Sequence, residues 1–169
     1  MLKMMQEDVV LRYFLLRNMV WYILPNIVFN GLIPYYSFKD PSAVYLFYGE
    51  FCFARFLLPM ALLLPFIISF DIMKKTIALS EKGKANFVFK ENSLDNRFML
   101  KVSGINGGLT FFTVLLLVGF AHVSLPDKYT FNGLPLAFGL SLLAGSLCVV
   151  FTLLPVKKIL KNSSPRQTN

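Results

Sequence analysis

Along most of this chain, polar residues interrupt apolar runs instead of alternating with them. Four runs are long, at 19–38, 48–73, 102–121 and 134–156. A hydrocarbon layer about 30 Å thick is crossed by roughly 20 residues of helix, and each run meets that length. None carries the polar stripe that a water-facing helix keeps opposite its buried face. In lipid the backbone must satisfy its own N–H and C=O groups, which a continuous helix does. The pattern predicts an all-α integral membrane protein with four transmembrane helices and excludes a soluble helical core. The first run is full length and no small-residue cleavage pattern follows it, so it reads as a span and not as a removable signal.

The same pattern divides the chain into a segment over 1–18, a first hairpin over 19–73, a basic loop over 74–101, a second hairpin over 102–156 and a basic tail over 157–169. In the loop, the second helix is expected to continue to Leu79 and to end over 80–84, with Gly83 as the stop. Phe87 and Phe89 alternate with smaller residues and suggest a short strand or an interfacial contact. Residues 92–96 read as a turn. The loop is too small to fold on its own.

Composition agrees: 56% of residues are hydrophobic and 15% charged, against about a quarter charged in soluble domains. The placement of charge adds direction. All but three of the 17 basic residues lie before the first run, between the second and third, or after the fourth. The exceptions are Lys39, Arg55 and Lys128. Basic loops stay cytoplasmic, so both termini and the central loop are expected inside, giving two outward hairpins in an N-in/C-in bundle. The expected location is the bacterial inner membrane. Expected partners are the bilayer, anionic lipids at the cytoplasmic face, and further copies of the chain or another membrane protein. Nucleic acid is excluded, because the charges frame spans and form no patch with stacking aromatics. Trp21, Tyr22, Tyr35, Tyr36, Tyr45, Tyr48 and Tyr129 fall near the expected span ends, at headgroup level.

An Asn-Gly pair interrupts both the first run (Asn30-Gly31) and the third (Asn106-Gly107). This raises a parallel tandem repeat. Asn30 lies about 13 residues beyond Arg17 and Asn106 about five beyond Lys101, a mismatch of about 12 Å along a helix. Pro65 and Pro155, in matching "LLP" motifs, shift in the same sense. A third match, "FNGL" over 131–134, falls in an outer loop and is expected to be a turn.

Three features compete as a binding site. Glu50 and Arg55 read as charges in the outer part of the second span, Arg55 about two turns deeper, and charges there face a bundle interior or water. Arg55 can pair with Glu50 or Asp127, or hold an anion. Asn26, Asn30 and Asn106 place amides in the apolar zone, where hydrogen bonds between helices are the usual answer. Pro25, Pro34, Pro59 and Pro65 free carbonyls in the first hairpin, so a pocket is expected between spans one and two, open to the outside. The second hairpin carries small-residue stripes, Gly104 with Gly108 and Ala137 with Ser141 and Gly145, which permit close helix contact.

No catalytic pattern is present, and no cofactor or metal is expected. His122 stands alone, and Cys52 and Cys148 lie in different spans without metal spacing. The expected function is that of a small non-catalytic membrane component: an accessory subunit, assembly factor or scaffold. The alternative is a small oligomeric transporter or channel using the polar first hairpin, and a membrane enzyme acting on a lipid or quinone ranks third.

Overall fold

A computed structural model describes residues 9–89, 95–126, 129–161 and 163–165. Its architecture is four long helices, α1 (Val9–Ser37), α2 (Phe53–Glu81), α3 (Asn96–Ser124) and α4 (Gly133–Leu160), with two short strands, β1 (Phe87–Phe89) and β2 (Ser163–Pro165). Three of the helices, α2, α3 and α4, are long and apolar enough to cross a membrane. The first has the same 29 residues as α2 and α3 but carries Arg12, Arg17, Asn18, Asn26 and Asn30. Each helix is about 43 Å long, more than the hydrocarbon layer requires. The excess over the apolar runs lies at the basic ends.

Local chemistry explains most of the helix limits. Gly83 takes φ 69°, open to glycine at no steric cost, and turns the chain so that the Lys82, Gly83 and Lys84 N–H groups bond the Ala78, Ser80 and Leu79 carbonyls. This is the stop expected at Gly83. The turn expected over 92–96 lies mostly outside the described residues. At its described edge, the Asp95 carboxylate accepts the Phe98 N–H at 2.8 Å and caps α3. The "FNGL" segment is a helix start and not a turn: Asn132 accepts the Leu134 N–H at 2.9 Å. Gly133 is required there, because a Cβ would sit 2.8 Å from the Phe38 ring and 3.1 Å from the Pro41 carbonyl. The second helix starts at Phe53, later than the apolar run implied, because residues 48–51 turn through Gly49 at φ 89°.

The chain order of the helices is not their packing order. The central pair is α2 with α4; α1 lies along α4, and α3 along α2. Sequential helices of each hairpin barely touch. Each hairpin is therefore splayed, and each of its helices rests on a helix of the other. The central seam joins Leu57, Met60, Leu64 and Ile68 of α2 to Leu140, Ala144, Leu147, Cys148 and Phe151 of α4. These positions recur every three or four residues and form one stripe on each helix. A second cluster seals the basic end, where Leu11 and Leu15 of α1 meet Ile72, Ala85, Phe87, Val156 and Leu160. Backbone bridges tie the halves at both ends. Val44 and Phe131 exchange two hydrogen bonds of 2.8 Å between the loop that joins α1 to α2 and the loop that joins α3 to α4. Antiparallel pairing of β1 with β2 joins the central loop to the tail, with Phe87 opposite Pro165, so Phe87 and Phe89 do form the short strand their alternation suggested.

Two glycines permit the cross-hairpin contacts. A Cβ on Gly31 would lie 2.1 Å from Ser141 Oγ, and that hydroxyl donates to the Ile27 carbonyl at 3.0 Å. A Cβ on Gly107 would lie 2.6 Å from the Leu62 carbonyl oxygen. Gly145 faces the Ile27 side chain with somewhat more room, a Cβ there lying 3.0 Å from it, so the Ala137–Ser141–Gly145 stripe meets α1 as expected. Gly104 and Gly108 do not make the expected close contact, since both open onto free space. One residue is about 100° of helix rotation, and that rotation gives the contact to Gly107. The two Asn-Gly pairs thus share a role, closing one hairpin onto the other. They do so at different depths, Gly31 in the last third of α1 and Gly107 in the first half of α3.

Replacing Gly31 or Gly107 with Leu is expected to lower stability in detergent by about 1–3 kcal/mol, the usual cost of overpacking. Gly108→Leu should melt like the parent. Thermal unfolding of the three variants checks the assignment, and equal losses at positions 107 and 108 would contradict it.

Candidate functional site

The densest polar cluster lies where α1, α2 and α4 converge. Tyr22, half-buried on α1, donates its hydroxyl to Asp71 Oδ2 on α2 at 2.5 Å. Lys75, one turn further along α2, pairs with the same oxygen at 2.6 Å, donates to the Tyr22 hydroxyl at 3.3 Å and lies 5.2 Å from the Tyr22 ring centre. The Tyr22 carbonyl accepts from the Asn26 amide at 2.8 Å and from Cys148 Sγ on α4 at 3.5 Å. One residue therefore links three helices. Trp21 and Tyr22 sit mid-helix, not at a helix end, and only Trp21 is exposed. Counted from the outer ends of α1 and α2, about 20 residues bring the chain to Asn18 and Ile72. The cluster thus straddles the depth at which a hydrocarbon layer would give way to headgroups on the basic side.

Beside it, α1 and α2 part around a cleft of about 650 Å³. Phe14, Arg17 and Trp21 line it from α1, Lys75 from α2, and Lys82 and Lys84 from the turn at Gly83. The wall is fixed from below. Leu11 and Leu15 anchor α1 against Phe87, and the buried Ser80 hydroxyl donates to the Phe87 carbonyl at 2.8 Å. Among the described residues, Asp71–Lys75 is the only ion pair, and Arg17, Lys82 and Lys84 have no carboxylate partner.

The residues singled out from sequence are dispersed. Arg55 is exposed in the first turn of α2, not two turns deep. Its guanidinium donates to the backbone carbonyl of Glu50 and lies 5.4 Å from the Phe51 ring centre. Glu50 sits in the turn before the helix, and Arg55 meets its carbonyl in place of its carboxylate. Asp127, the other expected partner, lies outside the described residues. Glu50 lines a separate cavity of about 370 Å³ formed by the loop that joins α1 to α2. In that loop the Asp40 carboxylate accepts both the hydroxyl and the backbone N–H of Ser42, which hold its pKa below the usual carboxylate value. The larger space between α1 and α2 is thus at the opposite end from the one expected.

The amides divide. Asn18, Asn26 and Asn30 each donate to the carbonyl four residues back on α1, at 2.8, 2.8 and 2.9 Å. Only Asn106 reaches another helix, donating to Ser69 Oγ of α2 at 2.9 Å. Cys52 and Cys148 are both free thiols. His122 stacks against Phe47 and Tyr48 at centroid distances of 5.1 and 5.6 Å. Asp71 was not among the residues singled out, because it lies three and four residues before Lys74 and Lys75 and looks like part of the run's charged border. The signal was there: an acid four residues before a lysine shares its helix face, at a depth reached by a tyrosine of another run.

Comparison with family models, with curated proteins and with solved structures returns no match.

Asp71 and Lys75 side chains are 38% and 45% exposed, so solvent weakens their ion pair. The Tyr22–Asp71 bond between helices is the stronger structural term. A double-mutant cycle of Tyr22→Phe and Asp71→Asn in detergent is expected to give a coupling near 0.6 kcal/mol and no more than about 1.7 kcal/mol, the range for hydrogen bonds between membrane helices. Additive unfolding energies would show that the two side chains do not act together.

Proposed function

We propose that the chain is an integral membrane protein in which all four helices cross the bilayer, both termini and the central loop facing the cytoplasm. The inner membrane of a bacterium is the compartment this reading assigns. It acts without catalysis, as an accessory subunit, assembly factor or scaffold that holds another transmembrane helix. One observation carries this reading: Gly104, Gly108 and Gly119 lie along one open side of α3 with nothing near their missing Cβ atoms. Elsewhere in the molecule, Gly31, Gly107 and Gly145 each receive a neighbouring helix. A stripe of the same kind left open is suited to a helix from another chain, because small residues let backbones approach closely. The alternative, a small oligomeric transporter, draws on the cleft between α1 and α2. It has less support, since the central α2–α4 seam is filled by apolar side chains.

Association is tested with the Gly104→Leu/Gly108→Leu double variant. Mass measurement in mild detergent should show the parent larger than one chain and the variant reduced, with melting unchanged. A parent that is monomeric in detergent, and that fails to crosslink through a cysteine placed at position 108 in native membranes, would count against the reading. Orientation is tested separately. A cysteine in the loop over 39–49 should react with a membrane-impermeant reagent in intact cells, and one at Lys84 should stay protected; the reverse pattern would overturn the topology.

A further inference from the structure

We propose that the cleft between α1 and α2 binds the phosphate group of an anionic phospholipid, with Arg17, Lys82 and Lys84 around the phosphate and Phe14 and Trp21 against the start of the acyl chains. The inference rests on the membrane reading above but on neither orientation nor association.

Three observations meet in it. The first is charge. Lys75 is engaged by Asp71, which leaves three cations without a carboxylate among the described residues. Glu81 adjoins Lys82 in the chain but does not line the cleft. The second is shape. Retaining basic residues on one side of a membrane needs only that they lie on that side. Here they converge from two helices and a glycine turn on one concavity of about 650 Å³, within the range of small-ligand sites. The third is the mixture of linings. Trp21 is 74% exposed although it lies mid-helix, and it shares the wall with Arg17, one turn away on the same face. A free phosphate needs the cations and has no use for the aromatic wall, whereas a phospholipid uses both. The depth agrees, because the cleft opens about 20 residues from the outer helix ends, at the headgroup level of the basic side.

Trp21 is the only tryptophan in the chain, so its emission reports on this cleft alone. The purified full chain in neutral detergent micelles is titrated with short-chain phosphatidylglycerol, with phosphatidylcholine of the same chain length, and with inorganic phosphate. Phosphatidylglycerol should change Trp21 emission saturably, and the other two should not. The triple variant Arg17→Gln, Lys82→Gln, Lys84→Gln should weaken binding by about tenfold or more, given the attraction of each basic residue to anionic headgroups. Arg17→Gln alone should weaken it in the same direction. A control with the same loss of charge on the same side, Lys157→Gln, Lys158→Gln, Lys161→Gln, should bind like the parent. An equal response to phosphatidylcholine, an unaffected triple variant, or an equal loss in the control would overturn the proposal. A response to inorganic phosphate at the same affinity would assign the cleft to a soluble anion and overturn the lipid. A protein that is monomeric in detergent, fails to crosslink at position 108 and yet passes all these tests would refute the partner reading and leave this one standing.

Discussion

The fold depends on how closely two pairs of backbones approach. At Gly31 a serine hydroxyl of α4 occupies the space a side chain would take, and at Gly107 a carbonyl of α2 does so. Helices that are apolar all round gain no direction from burying apolar side chains, so the fit of surfaces and the bonds made across them must select neighbours. Both close contacts join helices of different hairpins. Once they form, α2 and α4 are brought together as the central pair, and the helices of each hairpin are held apart. The cleft between α1 and α2 is the space this separation leaves.

Polar groups among the apolar side chains follow a second rule, that a buried group needs a partner nearby, and among the described residues only the Ser103 hydroxyl is buried without one. Most are settled on their own helix. Asn18, Asn26 and Asn30 return their amides to α1, and Thr76 and Thr152, both fully buried, bond the carbonyl four residues back at 2.7 and 2.6 Å. Few are left to connect helices, chiefly Asn106 with Ser69, Ser141 with Ile27, and the group around Tyr22. Those few sit beside the glycine contacts or beside the cleft, so the bonds that select neighbouring helices are concentrated at a handful of positions.

Much of this was legible from residue order and some was not, for a physical reason. Long apolar runs marked the helices, Gly83 marked the end of α2, and the Ala137–Ser141–Gly145 stripe marked a contact face. Pairing was hidden because the runs are apolar all round. Periodicity identifies a face only where one side of a helix differs from the other, and here the difference is made by single residues. Gly107 and Gly108 are indistinguishable in sequence, yet one is closed by α2 and the other is open. Arg55 drew attention because it looked deep, but a turn at Gly49 delays the helix and brings it to the surface. Asp71 is masked in the sequence by the lysines three and four residues on, and its partner Tyr22 comes 49 residues earlier in the chain.

The splayed hairpins also have a consequence in time. Domains are assembled in the order the ribosome delivers them, and α1 is delivered first while its main neighbour, α4, is the last of the four helices. Until then α1 has no helix to receive Gly31, and Ser141 is not yet available to its carbonyls. The first hairpin therefore waits as two loosely associated segments, with Asp71 and Tyr22 already able to hold them in register. The backbone bridge between Val44 and Phe131 becomes possible just before α4 is made and the pairing of β1 with β2 only after it, each requiring residues from both halves. Half of this protein is thus a holding state, and the polar cluster beside the cleft, together with Leu11 and Leu15 on Ile72 and Phe87, is what that state can make for itself.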